Sequence, residues 1–192
     1  MIRIAIVGDI GCGKSHIAKQ FGYPVFNADD EVSKIYKTSR TFYRKLKKSL
    51  PNHITSFPVK KNELLKAIMF DQKNLKKIVK IVHPAVHYKM NTFIKKHKNK
   101  KFIILDIPLL IENKINKKND ILIFVDAKKN IINKNLKKRP NYNNEMLKKL
   151  RKLQLPVEKK KKKCDFLVKN NFKNYSAKKN VKKILGKILL NA

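Results

Sequence analysis

Residues Gly8-Asp9-Ile10-Gly11-Cys12-Gly13-Lys14-Ser15 decide the fold, because they match the phosphate-loop pattern G-x-x-x-x-G-K-[ST] at every defined position. The apolar run Ile2-Arg3-Ile4-Ala5-Ile6-Val7 that precedes them predicts a buried strand, and residues 16–21 that follow have helical spacing. A strand, a glycine-rich loop and a helix form the context in which this motif is informative. The sequence therefore predicts a nucleoside triphosphate site at the start of the chain.

Each part of the loop has a predicted role at the phosphates. Glycines let the backbone turn its N–H groups towards phosphate oxygens, and the N-terminus of the following helix adds partial positive charge. Lys14 is expected to reach the β- and γ-phosphates, and the Ser15 hydroxyl is expected to bind Mg²⁺. The residues predicted to contact the nucleotide here are Gly8, Ile10, Gly11, Cys12, Gly13, Lys14, Ser15 and His16.

The net charge of +35 invites a nucleic-acid interpretation, but the kind of basic residue argues against it. Of 48 basic residues only five are Arg, which leaves 43 Lys, whereas specific phosphate and base recognition favours the planar fork of Arg. The Lys residues are also spread along the whole chain with many Asn and Ile, as A- and T-rich codons would produce. We therefore predict no specific nucleic-acid partner, only weak and salt-sensitive binding to polyanions.

The remaining composition indicates a protein of the cytoplasm. No run approaches the roughly 20 apolar residues that a membrane span needs, and the first residues enter a core strand directly, leaving no room for a signal peptide. The two cysteines, Cys12 and Cys164, form no disulfide framework and no metal spacing. We expect no membrane partner, and a monomer or a weak homo-oligomer.

The order of predicted elements indicates an α/β fold. Near-continuous apolar strands alternate with helices, which is typical of a parallel sheet covered on both faces, here a five-stranded sheet of the P-loop NTPase type. The strands are predicted at residues 2–7, 23–27, 102–107, 121–126 and 166–168. Residues 40–98 have helical spacing and no convincing strand, and Pro84 is expected to begin one of their helices. We interpret residues 1–192 as a single domain with this helical insertion.

Two aspartates follow predicted strands, at the sheet edge where ligands bind. Asp29 can accept the proton of an attacking hydroxyl, or it can cap the helix that follows. Asp106 can bind Mg²⁺, directly or through water, or it can be an ordinary turn residue. Two basic candidates also have alternative interpretations: Arg139 can stabilise the charge of a phosphoryl transfer or lie in solvent, and His83 can contact a ligand or be structural.

Six further stretches, in this order along the chain, resemble motifs of the dephospho-CoA kinase family. They are Asn27-Ala28-Asp29, Ala67-Ile68-Met69-Phe70-Asp71, Ile81-Val82-His83-Pro84, Leu105-Asp106-Ile107-Pro108-Leu109-Leu110-Ile111-Glu112, Arg151-Lys152-Leu153-Gln154 through Lys159, and Cys164-Asp165-Phe166-Leu167-Val168-Lys169-Asn170. With the phosphate loop they run nearly from end to end of the chain.

The resemblance implies an enzyme that uses ATP and Mg²⁺ to phosphorylate the ribose 3′-hydroxyl of dephospho-CoA, giving CoA and ADP. It implies a helical CoA-binding region at residues 40–98 and a lid at residues 128–150. It also implies roles for single residues: Asp29 as the base on the acceptor hydroxyl, Arg139 as the lid arginine, Asn170 near the adenine, and His83, Pro108 and Leu109 on the acceptor side. Asp106 would bind the metal together with Ser15.

The chain departs from the family's pattern at several positions. Asn27 replaces the first Asp of Asp-Ala-Asp, and Asn135 stands where the family has a second lid Arg. His16 replaces a Thr, and Asn171-Phe172-Lys173 replaces a glycine-rich segment. The alternatives are another P-loop kinase acting on a nucleoside monophosphate or small alcohol and, from a different class, a nucleic-acid-binding protein with a vestigial nucleotide site.

Overall fold

The computed structural model describes residues 1–139 and 142–190 and divides the chain into two compact units. The first unit comprises Met1–Asn27 together with the chain from His97 onwards, and the second is Ala28–Lys96. We call them the sheet unit and the helical unit. Residues 140 and 141, within the predicted lid at 128–150, lie outside the described residues, as do the last two residues of the predicted domain 1–192.

The strands are β1 (Ile2–Gly8), β2 (Val25–Asn27), β3 (Phe102–Asp106), β4 (Ile121–Asp126) and β5 (Phe166–Lys169). The helices of the described residues are, in chain order, α1 (Lys14–Gln20), α2 (Ala28–Thr38), α3 (Arg40–Ser49), α4 (Lys61–Phe70), α5 (Gln72–Lys96), α6 (Lys129–Lys137), α7 (Asn144–Lys152), α8 (Val157–Lys162) and α9 (Asn174–Leu190).

The sheet has five strands in the order β2-β3-β1-β4-β5, and every pairing is parallel. This confirms the predicted fold class. Because β1 lies between β3 and β4, the loop that follows it sits in the middle of the carboxyl edge of the sheet. In open parallel sheets this edge is where ligands bind.

The sheet unit is held together by apolar residues of the predicted strands. Ile4 and Ile6 of β1, Ile104 of β3 and Ile123 of β4 are fully buried and share one core cluster with Ile17 of α1. Strands covered by helices on both faces need apolar side chains on both faces, which explains why their sequences are continuous apolar runs rather than alternating ones.

The helical unit has a core of its own. Leu46 of α3, Ile54 in the turn that follows it and Ala67 of α4 are fully buried, and they pack with residues of α2 and α5. Each helix places apolar residues on one face at helical spacing, and these faces meet in the interior of the unit.

The prediction that Pro84 begins a helix is wrong, because Pro84 lies inside α5, which continues from Gln72 to Lys96. A proline within a helix removes one N–H donor and crowds the carbonyl one turn earlier, at Lys80. Both residues are exposed, so water can bind that carbonyl. The helix can therefore tolerate the missing hydrogen bond.

Among the described residues, no helix combines the length and the apolar character that crossing a membrane would require.

Candidate active site

The phosphate loop connects β1 to α1 with glycines in conformations that other residues rarely adopt. Gly11 has φ +83° and Gly13 has φ +89°. A Cβ atom placed on Gly13 would lie 2.3 Å from Asn170 Nδ2, and one on Gly11 would lie 2.8 Å from Leu136 Cγ. The loop is therefore packed tightly against Asn170, which follows β5, and against Leu136 of α6.

Lys14, the first residue of α1, folds back over this loop. Its Nζ donates to the carbonyl oxygen of Asp9 at 3.0 Å and approaches that of Gly8 at 3.4 Å. The Asp9 carboxylate in turn accepts a hydrogen bond from the Ile10 N–H at 2.7 Å. Carbonyl oxygens are weaker partners for an ammonium group than phosphate oxygens, so an anion in the loop would draw Lys14 away from them.

Three polar side chains from three elements meet beside the loop. Ser15 Oγ donates to Asp106 Oδ2, and the Asn27 amide donates to the same oxygen at 2.7 Å and approaches Ser15 Oγ at 3.3 Å. Ser15 belongs to α1, Asn27 ends β2 and Asp106 ends β3, so the parallel sheet brings them to one edge. The hydroxyl and carboxylate oxygens are of the kind that Mg²⁺ prefers.

Asn170, directly after β5, braces the loop from the other side. Its Nδ2 donates to the Cys12 carbonyl at 2.9 Å, and its Oδ1 accepts from the Phe172 N–H at 2.9 Å. Asn170 also lines a cavity of about 440 Å³ at the end of β4, together with Asp126, Ala127, Lys128, Ile131, Lys169, Asn171, Ser176 and Asn180. The residue predicted to lie near the adenine thus supports the phosphate loop and borders a cavity large enough for part of a ligand.

Lys159, the last residue of the family-like stretch that begins at Arg151, lies next to a buried lysine. Lys159 is exposed, whereas Lys160 is buried and its Nζ lies 3.2 Å from Glu112 Oε1. Lys160 also donates to Gln154 Oε1 at 2.6 Å and approaches the Gly8 carbonyl at 3.5 Å. Five consecutive lysines are indistinguishable in sequence, so only the packing of α8 could select the one that faces inwards.

Arg151 of α7 is a basic residue to which sequence reasoning gave no separate role. Its guanidinium lies 4.0 Å from the Asp9 carboxylate of the phosphate loop. Both residues line a second cavity of about 440 Å³, with Lys129, Ile132, Asn133, Gln154, Leu155, Pro156 and Val157. By contrast Arg139, the predicted lid arginine, follows α6 and is exposed.

Comparison with known proteins identifies the family. The family model CoaE, dephospho-CoA kinase, matches residues 2–175. A dephospho-CoA kinase of Wolbachia pipientis wMel is 31% identical over 98% of this chain and 98% of its own length. The chain belongs to the dephospho-CoA kinase family. The predicted activity is thereby confirmed: dephospho-CoA kinases are phosphotransferases, and a kinase of this family uses ATP as its phosphate donor.

Solved structures agree with this fold. A protein from Thermus thermophilus superimposes with a TM-score of 0.76 at 23% identity, covering 97% of both chains. A dephospho-CoA kinase from Campylobacter jejuni superimposes with a TM-score of 0.63 at 21% identity, covering 97% of this chain and 96% of its own. At these identities the likeness supports the architecture alone.

The signature Asp-x-Pro-Leu-Leu-x-Glu of the dephospho-CoA kinase resemblance spans the end of β3 and the turn after it. Pro108 and Leu109 are partly buried, and Leu109 has φ +56°, an unusual value for a residue with a side chain. Glu112, at the end of the signature, accepts from Lys160 and from the Leu155 N–H at 3.0 Å. The signature therefore links the turn after β3 to α8.

The two remaining acceptor-side candidates of the dephospho-CoA kinase pattern, Asp29 and His83, belong to the helical unit. Asp29 is exposed in the first turn of α2, which begins at Ala28, so it lies inside the helix rather than at the cap. His83 lies in α5 with its ring centroid 6.4 Å from that of His87. Burial, and secondarily the neighbouring His87, lowers the pKa of His83 below its usual value, which favours a neutral ring at physiological pH.

Cys12 lies within the loop but is unsuited to thiolate chemistry. Its side chain is buried, and burial raises the pKa of its thiol even though Lys14 acts in the opposite direction. The pKa of Cys164 is raised to about 12, mainly by burial and also by Asp165. Neutral thiols are poor nucleophiles, so both cysteines are packing residues here.

Proposed function

We propose that the sheet edge around the phosphate loop transfers the γ-phosphate of ATP to the 3′-hydroxyl of dephospho-CoA with the residues described above. The observation that carries this proposal is the meeting of Ser15, Asn27 and Asp106 at the carboxyl edge of a parallel sheet, beside the loop over which Lys14 folds. Phosphoryl transfer needs alignment and charge stabilisation more than covalent chemistry, and this edge offers both.

The nucleotide would bind with its phosphates on the loop. Backbone N–H groups of the loop residues would donate to phosphate oxygens, and Lys14 would leave the carbonyls of Gly8 and Asp9 for the β- and γ-phosphates. His16 is also a predicted nucleotide contact, and its buried Nε2 has no hydrogen-bond partner among the described residues. Asn170 and the cavity beside it support a base site at the end of β4.

Ser15 and Asp106 would hold Mg²⁺. Within the described residues no group of three or more His, Cys, Asp or Glu side chains could hold a metal ion. This fits Mg²⁺, which in nucleotide enzymes uses one or two protein ligands and completes its shell with water and phosphate oxygens. When bound, the ion would neutralise charge on the phosphates. Asn27 would orient Asp106 through its amide.

Asp29 would act as the base on the acceptor hydroxyl. His83, Pro108 and Leu109 would lie on the acceptor side. An Asp within hydrogen-bond reach of the ribose 3′-hydroxyl would accept its proton as the oxygen attacks the γ-phosphorus. Arg139 would stabilise negative charge on the transferring group. Two segment assignments stay predictions: residues 40–98 as the CoA-binding region and residues 128–150 as the lid. A cytoplasmic location, a monomer or weak homo-oligomer, and the lack of a specific nucleic-acid partner also stay predictions.

The test is ADP formation from ATP and Mg²⁺ with dephospho-CoA, AMP, CMP or no acceptor. We expect turnover with dephospho-CoA alone, and loss of turnover when EDTA removes the metal. Turnover with a monophosphate instead would favour the neighbouring P-loop kinases. Tight polynucleotide binding that persists at physiological salt, with no acceptor-dependent turnover, would favour the nucleic-acid alternative.

A further inference from the structure

Lys160 is a buried cation that the proposed chemistry does not yet use. Its exposed fraction is 2%, and a lysine is rarely buried to this degree unless its charge is paired. Its partners are Glu112, at 3.2 Å, and Gln154, at 2.6 Å. Because Glu112 is itself nearly buried, water screens this pair little, and the ammonium group is held in one place.

This ammonium group shares a backbone oxygen with that of Lys14. Lys160 Nζ lies 3.5 Å from the Gly8 carbonyl oxygen, and Lys14 Nζ lies 3.4 Å from the same atom. Lys14 is further bound by the Asp9 carbonyl at 3.0 Å. Two cations therefore converge on the last residue of β1: Lys160 is anchored by side chains from distant parts of the chain, and Lys14 contacts carbonyl groups of the residues just before it.

We propose that Lys160 is a positioning residue for nucleotide binding, which acts as a second, stationary lysine of the phosphate loop. When Lys14 turns to the phosphates, Lys160 keeps the Gly8 carbonyl hydrogen-bonded and so holds the loop in its binding shape. The proposal rests on the proposed function, because it assumes that ATP phosphates occupy the loop.

The neighbouring lysines show that this role is specific to one position. Lys160 is buried, while Lys159, Lys162 and Lys163 are exposed, and Lys161 pairs with Asp126 at 3.6 Å on another side of α8. Glu112 also accepts from the Leu155 N–H at 3.0 Å. It therefore ties down both Lys160 and the chain segment that leads into α8.

The first test measures the dissociation constant of ATP for matched variants. Lys160→Met alone would leave Glu112 buried without its partner, so the informative variant is Lys160→Met combined with Glu112→Gln, which removes both charges. Because the Gly8 carbonyl loses its hydrogen bond from Lys160, we expect this double variant to bind ATP about tenfold more weakly, with an unchanged KM for dephospho-CoA. Lys160→Arg should recover part of the affinity, and Lys162→Met, on the exposed face of α8, should bind as the native chain does.

A folded double variant that binds ATP with native affinity would overturn the proposal. Lys14→Ala separates this outcome from failure of the proposed function. If Lys14→Ala also binds ATP normally, the phosphate-loop assignment itself is wrong. If only Lys14→Ala is impaired, the assignment stands and the role of Lys160 is refuted.

The second test uses the native chain and so does not depend on variants that fold. Carbonyl ¹³C shifts of Gly8 and Asp9 would be followed by NMR as ADP is added. We expect the Asp9 carbonyl, which loses Lys14, to shift more than the Gly8 carbonyl, which Lys160 retains. An equal or larger shift at Gly8 would refute the proposed exchange of partners.

Discussion

The phosphate-loop edge of the sheet unit and the core of the helical unit are built on different principles. At the loop edge, polar side chains such as Ser15, Asn27 and Asp106 hold one another in place. In the helical unit, apolar side chains such as Leu46 and Ile54 provide the stability, and Asp29 is exposed. Substitutions at the loop edge should therefore alter shape and chemistry together, whereas substitution of an exposed polar residue of the helical unit, such as Asp29, should alter chemistry alone.

Lys14→Ala should give the largest effect. Removing the loop's phosphate-binding cation should lower kcat/KM by about a thousandfold or more, because charge develops on the oxygens that Lys14 would contact. Initial rates of ADP formation would measure this. Lys19→Ala is the control, because Lys19 is an exposed residue of the same helix. A Lys14→Ala enzyme within tenfold of the native rate would show that the loop edge does not carry the chemistry.

Asp29→Asn should give the second-largest effect, and it is the sharpest test of the helical unit's part in catalysis. Loss of a general base should lower kcat by about a hundredfold to ten-thousandfold, while the KM for ATP and the unfolding midpoint stay near native. Asp30→Asn, one residue on and also exposed, is the matched control. Equal losses in the two variants would mean that charge in the first turn of α2, and not a base at Asp29, is what matters.

Gly13→Ala should destabilise the sheet unit by about 1–3 kcal/mol, because the new Cβ would meet Asn170 and the backbone has a positive φ. Gly186→Ala is the opposite case: apart from the adjoining residues and the backbone of α9 itself, no atom of the described residues lies within 4 Å of its Cβ position. That variant should be stabilised by about 0.5–1 kcal/mol through helix propensity. Urea unfolding would measure both, and a similar change in the two variants would show that the loop is not tightly packed.

The smallest effect concerns acid stability and His83. Because burial lowers its folded pKa below the unfolded value, the unfolded chain binds protons first as the pH falls. Protonation at His83 therefore leaves the free energy of unfolding unchanged above the ordinary histidine pKa. That free energy declines as the pH drops from this value towards the folded pKa. His83→Gln should lose less stability than the native chain between pH 7.5 and pH 5.5. If urea unfolding shows the same loss of unfolding free energy for both proteins over this pH range, His83 has no part in acid stability.

The sheet unit could be predicted almost completely from the sequence. Its strands are continuous apolar runs that end at polar residues, and the parallel sheet then brings Ser15, Asn27 and Asp106 to one edge. Sequence alone located Asn27 and Asp106 near strand ends and Ser15 at the end of the phosphate loop, but it could not give their pairing. The amide of Asn27 on the Asp106 carboxylate is a tertiary contact between β2 and β3 that no local pattern encodes.

Other features depended on packing that the sequence does not display. The inward position of Lys160 within a run of lysines depends on the rotation of α8, and the contact of Arg151 with Asp9 joins distant parts of the chain. The prediction that Pro84 begins a helix is wrong because an exposed proline can be accommodated inside a long helix whose other turns are intact. Asp29, His83 and Arg139 keep their predicted roles as proposals.

Identification of the products formed from ATP and dephospho-CoA tests the central claim most directly. The native chain would be incubated with both compounds and Mg²⁺, and the products would be analysed by mass spectrometry and ³¹P NMR. We predict ADP and a product that carries one new phosphomonoester coupled to the ribose 3′ proton. Phosphate at another position, or release of inorganic phosphate with dephospho-CoA unchanged, would contradict the account.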